Sequence, residues 1–393
     1  MPDAYVVSAV RTPVGKAFKG GFRNTRPDDL LAHVLKATLA EVPEIEASRV
    51  EDVIIGCAMP EAEQGMNVAR ISLLLAGIPD SVPGVTVNRF CSSGLQTIAM
   101  AADRIRLGEA EVVIAGGTES MTMIPMMGHK VAMNPSVFED DNLAIAYGMG
   151  ITAENVAEQW QISREQQDAF ALASHEKAIA AIDAGQFTEI RPYTVQHHLP
   201  DPASGAVRLS EVCIDTDEGP RRDTTAEALA KLRPVFNARG TVTAGNTSQM
   251  SDGAGALVLV SEKIVKELEL EPLAIFRGFS VAGVPPEIMG IGPIAAIPKV
   301  LECSGIGQEQ VEWIELNEAF AAQSLAVIKD LGLDEEKVNP MGGAIALGHP
   351  LGATGAILAA KMIHGMRRRG QKYGMVTMCI GTGMGAAGLF EIL

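Results

Sequence analysis

The chain has 393 residues, of which 47% are apolar and 20% charged, and a formal net charge of −16. That length exceeds what one hydrophobic core usually serves, so two domains, or one domain with a large insertion, are expected. The acidic balance excludes nucleic-acid binding, which is driven by cation–phosphate contacts, but leaves room for an anionic small ligand on a local basic patch.

The first residues, MPDAYVVSAVRTPVGK, lack a basic leader followed by an apolar run, so secretion is not expected, and no stretch is apolar enough for a transmembrane segment. Forty glycines and many short apolar runs ending in Gly-Gly or Gly-Thr indicate strands buried on both faces, and hence an α/β class. VTVNRF at 85–90 reads as a strand, Ser92 to Leu107 as a helix with Leu95, Ile98, Ala99, Ala102 and Ile105 at helical spacing, and VVIAGGTE at 112–119 as the next strand. From about 120 to 247 the pattern changes to a Met- and Pro-containing loop, one long helix from about Ala153 to Ala184, and polar irregular chain. Insertions of this size in an α/β scaffold commonly cover a site. WIEL then forms a strand leading to ELNEAF, and Gly352 to Arg369 a helix whose three terminal arginines suit the negative end of its dipole. MVTMCIGTG at 375–383 is the last strand of this pattern. The two strand–helix–strand stretches have one form, which points to an internal duplication. Gly383 to Gly388 matches the dinucleotide spacing GxGxxG, but no helix or βαβ unit can follow it, so it is not a nucleotide loop.

Five cysteines, Cys57, Cys91, Cys213, Cys303 and Cys379, show no CxxC spacing. Neither a structural metal site nor a disulfide framework is expected, and reduced thiols fit a cytoplasmic location. Cys91 lies between strand and helix in NRFCSSG, where helix N–H groups would favour a thiolate; the alternative is a small buried hydrophobe. His349 sits in GGAIALGHPLGATG, a run that forces tight turns, and is either a site imidazole or a histidine satisfied by a backbone carbonyl. Cys379 ends a strand just before Gly381, at the edge where open α/β sheets bind ligands. Asn317 opens the helix after WIEL, where helix capping alone would explain it. Arginines and hydroxyls in RRDTTAEALAKLRP at 221–234 suit phosphate contacts or a plain solvated surface. Two separated thiols, one histidine and glycine-rich turns together describe acyl transfer better than redox or metal chemistry.

NRFCSSGLQ, GGTESM, GNTSQMSDGAGA, NEAFA, GGAIALGHPLGATG and CIGTGMG resemble, in order and across essentially the whole chain, the signatures of the thiolase family. The resemblance implies two duplicated α/β halves, 1–270 and 271–393, each with a mixed five-stranded sheet, and an inserted loop domain in the first. It implies Cys91 as the acylated nucleophile, His349 as its base and Cys379 as the acid that protonates the departing enolate. Asn317 would hold a water beside His349 as one oxyanion hole, and the N–H groups of Cys91 and Gly381 would form another. Coenzyme A would meet Arg221 near its nucleotide, Ser248 near the pantetheine, and Met149 and Phe320 at the reactive end. CoA is then a substrate, alongside 3-ketoacyl-CoA and acetyl-CoA, with no permanently bound cofactor. The assembly implied is a homodimer or homotetramer, with a multifunctional β-oxidation enzyme as a further partner. Gly148-Met149 departs from the histidine-methionine pair of biosynthetic members. Together with GVPPEIMGIGPIAAIP at 283–298, it places the chain nearer the degradative 3-ketoacyl-CoA branch. The alternatives are an acetoacetyl-CoA thiolase working in condensation, a silent CoA or lipid binder, and a Cys91–Cys379 redox couple.

Overall fold

The computed structural model describes residues 2–200 and 203–393. Nine strands follow one sheet path: β1 (Ala4–Arg11), β2 (Asp52–Gly56), β3 (Gly84–Val87), β4 (Val112–Ser120), β5 (Ser251–Ser261), β6 (Ala274–Gly283), β7 (Val311–Leu316), β8 (Tyr373–Ile380) and β9 (Met384–Ile392). Their order is β7-β8-β9-β6-β1-β5-β4-β2-β3, with the short strand Gly15–Lys16 paired to β5. Only Tyr5↔Ile275 and Val6↔Ala274 join β1 to β6, so the path is two sheets meeting at a narrow seam.

The duplication is visible in the pairing. In the first half β3, β2 and β4 run parallel and β5 and β1 antiparallel to their neighbours. In the second half β7 and β8 are parallel, and β9 and β6 again antiparallel. The counterpart of β3 is reduced to one parallel bridge, Ile314↔Val338, so the second sheet has four full strands and a vestige of the expected fifth. Helices repeat with the strands: α1 (Pro27–Ala40), α2 (Val68–Leu75) and α3 (Ser93–Arg106) in the first half, α6 (Gly292–Ser304), α7 (Ala321–Leu331) and α8 (Thr354–Arg369) in the second.

Side-chain alternation along the strands builds the layers. Val113 and Ala115 of β4 face a central core shared with Leu95 and Ile98 of α3 and Leu358 and Met362 of α8. Val112 and Ile114 face an outer core with Leu31 and Leu35 of α1 and Leu73 of α2. In the second half Met378 joins the central core, while Met375 joins Val300 of α6 and Val327 of α7 outside. The molecule is therefore helix–sheet–helix–sheet–helix, with α3 and α8 in the middle. Small residues let those two helices touch: a Cβ on Gly355 would lie 2.1 Å from the Leu95 nitrogen, and one on Gly94 2.8 Å from that of Ala356.

Residues 121–250 leave this scaffold between β4 and β5. They do not contain one long helix, but α4 (Met149–Gln159) and α5 (Arg164–Asp183), broken where Gln161 takes φ +55° and Ser163 forms a capping box with Gln166. A hairpin, Tyr193–Pro200 with Val207–Ile214, follows. The insertion is stitched to β1 by Arg11. Its buried guanidinium pairs with both oxygens of Asp217 (2.7 and 2.9 Å) and with Glu189 (2.9 Å), each buried as well. The strand expected at 85–90 stops at Val87, because Phe90 turns into the left-handed region. Residues 383–388 form the turn and start of β9, in agreement with discarding them as a nucleotide loop.

Candidate active site

The C-terminal ends of the parallel strands and the N-terminal ends of α3 and α8 converge on one place. After β3 the chain reaches Phe90, whose φ of +44° is unusual for a residue with a large side chain. The bend is held by Asn88, whose Oδ1 accepts the Phe90 N–H at 2.8 Å, and by Ser93, whose Oγ accepts from Arg89 N–H (2.8 Å) and donates to the Phe90 carbonyl (2.7 Å). Cys91 follows in a single 3-10 turn leading into α3. It is half-buried, packing against Ala58, Met121 and Leu351. The N–H of Gly381 and its own N–H point at its sulfur and favour the thiolate, but burial outweighs them and pushes the thiol up to about 12. The resting form is therefore a neutral thiol, not the thiolate expected from helix position alone.

Cys379 is the last residue but one of β8 and is 1% exposed. Burial, and next the proximity of Cys91, raise its pKa strongly. Beyond it the chain turns through Gly381, Thr382 (φ +65°) and Gly383 (φ +86°). A Cβ on Gly381 would come within 3.7 Å of the Met149 sulfur and 3.8 Å of the Phe90 ring. Met149 and Phe320 pack in the same apolar cluster as Cys379, with Ala153, Val242, Met289 and Ala319.

His349 lies just before α8, as Cys91 lies just before α3, so the two arms of the duplication each place one candidate residue at the same helix end. Gly348 needs φ +102° to deliver it, and its backbone passes so close to Ser251 that a Cβ would sit 2.2 Å from the hydroxyl oxygen. The His349 N–H donates to the Gln249 carbonyl (3.1 Å) and Ser251 Oγ (3.2 Å). Its ring is 5% exposed, and burial alone moves its pKa down to about 4, so the imidazole is neutral at pH 7. Nε2 faces Asn317 Nδ2 at 3.4 Å, and Nδ1 lies 2.6 Å from Thr354 Oγ1. Asn317 is not the cap of α7, a position taken by Phe320; its N–H donates to the Thr377 carbonyl at 2.9 Å. Its Oδ1 is buried with no partner among the described residues.

Two buried carboxylates escaped sequence reasoning. Glu119, at the end of β4, accepts from the N–H groups of Ala58 (2.7 Å), Met59 (3.3 Å) and Gly352 (2.8 Å) and from the Gln64 amide. It thereby ties the loop after His349 to the first half. Glu318, beside Asn317, accepts from Ser174 (2.6 Å), Asn339 (2.9 Å) and the Ile345 N–H (3.1 Å), fixing the loop before His349. Burial raises the pKa of both. Their only sequence signal was a lone acid inside a glycine-rich or apolar motif.

Of the expected CoA contacts, Met149 and Phe320 lie in the cluster around Cys379. The Ser248 N–H donates to the Ala319 carbonyl at 3.0 Å, next to Phe320. Gln249 bridges the carbonyls of Gly219, Ile345 and Ala346 (3.0, 3.0 and 3.1 Å), bringing the segment that ends at Arg221 beside the His349 loop. The Arg221 side chain is exposed, and its N–H donates to His175 Nδ1 at 3.2 Å. Arg222 is engaged by Asp183 on the surface.

Residues 4–263 match the model of the thiolase N-terminal domain and residues 270–392 that of the thiolase C-terminal domain. The chain belongs to the thiolase family. This thiolase is 51% identical over its full length, and the full length of the relative, to the 3-ketoacyl-CoA thiolase of Bacillus subtilis strain 168. It is 47% identical, again with both chains fully covered, to that of Aliivibrio fischeri. Among solved structures, the Bacillus anthracis acetyl-CoA acetyltransferase matches with TM-score 0.89 and 43% identity, covering 100% of this chain and 99% of the other. The human mitochondrial 3-ketoacyl-CoA thiolase matches with TM-score 0.89, 39% identity and the same coverage. The expected thiolase fold is thus present, and the chain is an acyltransferase of that family.

Proposed function

We propose that this thiolase cleaves 3-ketoacyl-CoA with CoA, giving acetyl-CoA and an acyl-CoA shortened by two carbons, through an acyl group on Cys91. The observation that carries the reading is the placement of the half-buried Cys91 at the start of α3, beside the Cys379 thiol at the end of β8, with the neutral His349 imidazole in the turn before α8. Breaking a carbon–carbon bond beside a ketone needs a soft nucleophile at the ketone and a proton donor for the carbanion released. Neutral His349 takes the Cys91 proton as the sulfur attacks C3 of the substrate. The C2–C3 bond then breaks, the electron pair passes to acetyl-CoA as its enolate, and Cys379 protonates C2. In the second half-reaction Cys379 takes the proton of free CoA, whose sulfur attacks the acyl carbon; the bond to Cys91 breaks, and the departing Cys91 sulfur takes back its proton from His349. The N–H groups of Cys91 and Gly381 stabilise the tetrahedral oxyanion, and Asn317 holds the water that, with His349, stabilises the enolate oxygen. The free Asn317 Oδ1 is an acceptor for such a water.

CoA enters as a substrate, with Arg221 at its phosphates, Ser248 along the pantetheine, and Met149 and Phe320 around the thioester. The acyl transfer asks nothing of a metal or resident cofactor. The chain divides at 270/271, the linker between equivalent sheets. β3 is an open sheet edge, and exposed Val85 lies on it while Leu74 and Leu75 lie on the adjoining α2; pairing there with a second copy gives a homodimer, itself able to form a tetramer or to join a multifunctional β-oxidation enzyme. Among the described residues no helix is long and apolar enough to cross a membrane, and free thiols favour the cytoplasm.

The similarity to an acetyl-CoA acetyltransferase supports a second reading, the short-chain enzyme working on acetoacetyl-CoA. Intact-protein mass spectrometry after mixing with a medium-chain 3-ketoacyl-CoA, without free CoA, separates the two. The expected product is an adduct of the shortened acyl chain mapping to Cys91 and absent from Cys91→Ala. An adduct with acetoacetyl-CoA alone selects the second reading, and no adduct with either substrate refutes both.

A further inference from the structure

We propose that Thr354 is a positioning residue that fixes His349 in the tautomer with the proton on Nδ1, leaving Nε2, on the Asn317 side of the ring, as the basic nitrogen. The inference deepens the proposed reaction and rests on His349 being its base. Thr354 is the first residue of α8, and both it and His349 are buried, so their polar atoms must find partners within the protein. Its Oγ1 lies 3.1 Å from the Pro350 carbonyl, to which the hydroxyl donates, and 2.6 Å from His349 Nδ1. With the hydroxyl hydrogen given to Pro350, Oγ1 is left as an acceptor, and Nδ1 must carry a hydrogen. On the other side of the ring Asn317 Nδ2, which can only donate, faces Nε2 at 3.4 Å, so Nε2 must accept. Both contacts select one tautomer, and the opposite one sets two donors face to face at Asn317.

The device differs in kind from a carboxylate behind an imidazole. A carboxylate would both orient the ring and stabilise the imidazolium, whereas a neutral hydroxyl orients the ring without favouring its charged form. The Pro350 carbonyl belongs to the same tight turn, because it also accepts the N–H groups of Ala353 (2.9 Å) and Thr354 (3.0 Å). The turn that starts α8 therefore sets the direction of the base, and the helix holds the turn.

The test combines two variants with one direct observation. Thr354→Val keeps the shape and removes the acceptor; Thr354→Ser keeps the hydroxyl. Thr354→Val is expected to lower kcat at least tenfold while KM for CoA stays within threefold, and to move the pH profile of Cys91 alkylation by iodoacetamide. Thr354→Ser should stay within threefold of the parent in all three. A Val variant with the parent's kcat and pH profile, or a Ser variant as impaired as Val, overturns the proposal. Should the Val variant misfold, 15N NMR of histidine-labelled parent enzyme decides, with His349 assigned by His349→Asn. A protonated Nδ1 supports the proposal, and a protonated Nε2 refutes it. That spectrum is independent of turnover, so an unreactive His349 would be seen separately, as full activity in His349→Asn.

Discussion

Replacing Gly355 by Ala tests whether the α3–α8 contact sets the site. The added Cβ would lie 2.1 Å from the Leu95 nitrogen and 2.7 Å from its Cβ, where ordinary contact begins at about 3.4 Å, so the helices must part by more than an ångström. Neither has room to retreat, because each is packed between two sheets. Overpacking of this kind costs about 1–3 kcal/mol, and the better helix propensity of Ala returns at most about 1 kcal/mol. The separation also moves Cys91 relative to His349, and a misplacement of about 1 Å costs on the order of 100-fold in rate. Gly365→Ala is the comparison, since its Cβ would meet the Trp313 ring at 2.6 Å ten residues farther along the same helix. Urea unfolding and initial rates of thiolysis should show both variants destabilised by about 2 kcal/mol, with kcat falling about 100-fold in Gly355→Ala and within threefold of the parent in Gly365→Ala. Equal losses of kcat in the two variants, or none in Gly355→Ala, would refute the idea that this crossing sets the reactive geometry.

Arg221→Ala should raise KM for CoA about tenfold and leave kcat nearly unchanged, because the exposed guanidinium is proposed to meet phosphate far from the sulfur; the ratio should shrink at high salt, as expected for a screened charge. The buried histidines predict acid lability. His175 and His349 have pKa values lowered from 6.5 to about 4, so the stability they contribute is full above 6.5 and is lost as pH falls through 6.5 toward 4. For each, the loss between pH 7.5 and 5 is about 2 kcal/mol. Urea midpoints of His175→Gln and the parent at both pH values check this, and an equal acid loss in the two proteins contradicts it.

The sequence made legible the candidate cysteines and histidine and the repeated strand–helix–strand pattern, because each sits at a glycine-marked boundary where apolar periodicity changes. It misjudged features that depend on what packs around a residue. Asn317 has the composition of a helix cap, yet the helix starts at Ala321 and the side chain turns to His349 instead. The thiolate expected at Cys91 rested on helix position, and the enclosing core outweighs that local field. The break between α4 and α5 was missed because the residues at the junction, Trp160 to Ile162, carry no Gly or Pro. Glu119, Glu318 and Thr354 have partners dozens to hundreds of residues away or hidden in a turn, and no spacing rule reaches them.

Duplication explains why the centre lies where it does. Each half ends a parallel strand, turns, and starts a helix whose N-terminus points at the sheet edge; alone, that arrangement offers one reactive side chain on an open face. Packing the two halves with α3 against α8 closes the face, because Gly94 and Gly355 allow the helices to touch and bring Cys91 and His349 from opposite halves to one place. The same closure buries the imidazole, which lowers its pKa and keeps it neutral, and encloses both thiols, which raises theirs and keeps them protonated at neutral pH. One packing event thus gives the three candidate groups the protonation states that the proposed reaction needs, and Glu119, bonded to Gly352 across the halves, holds the arrangement in register.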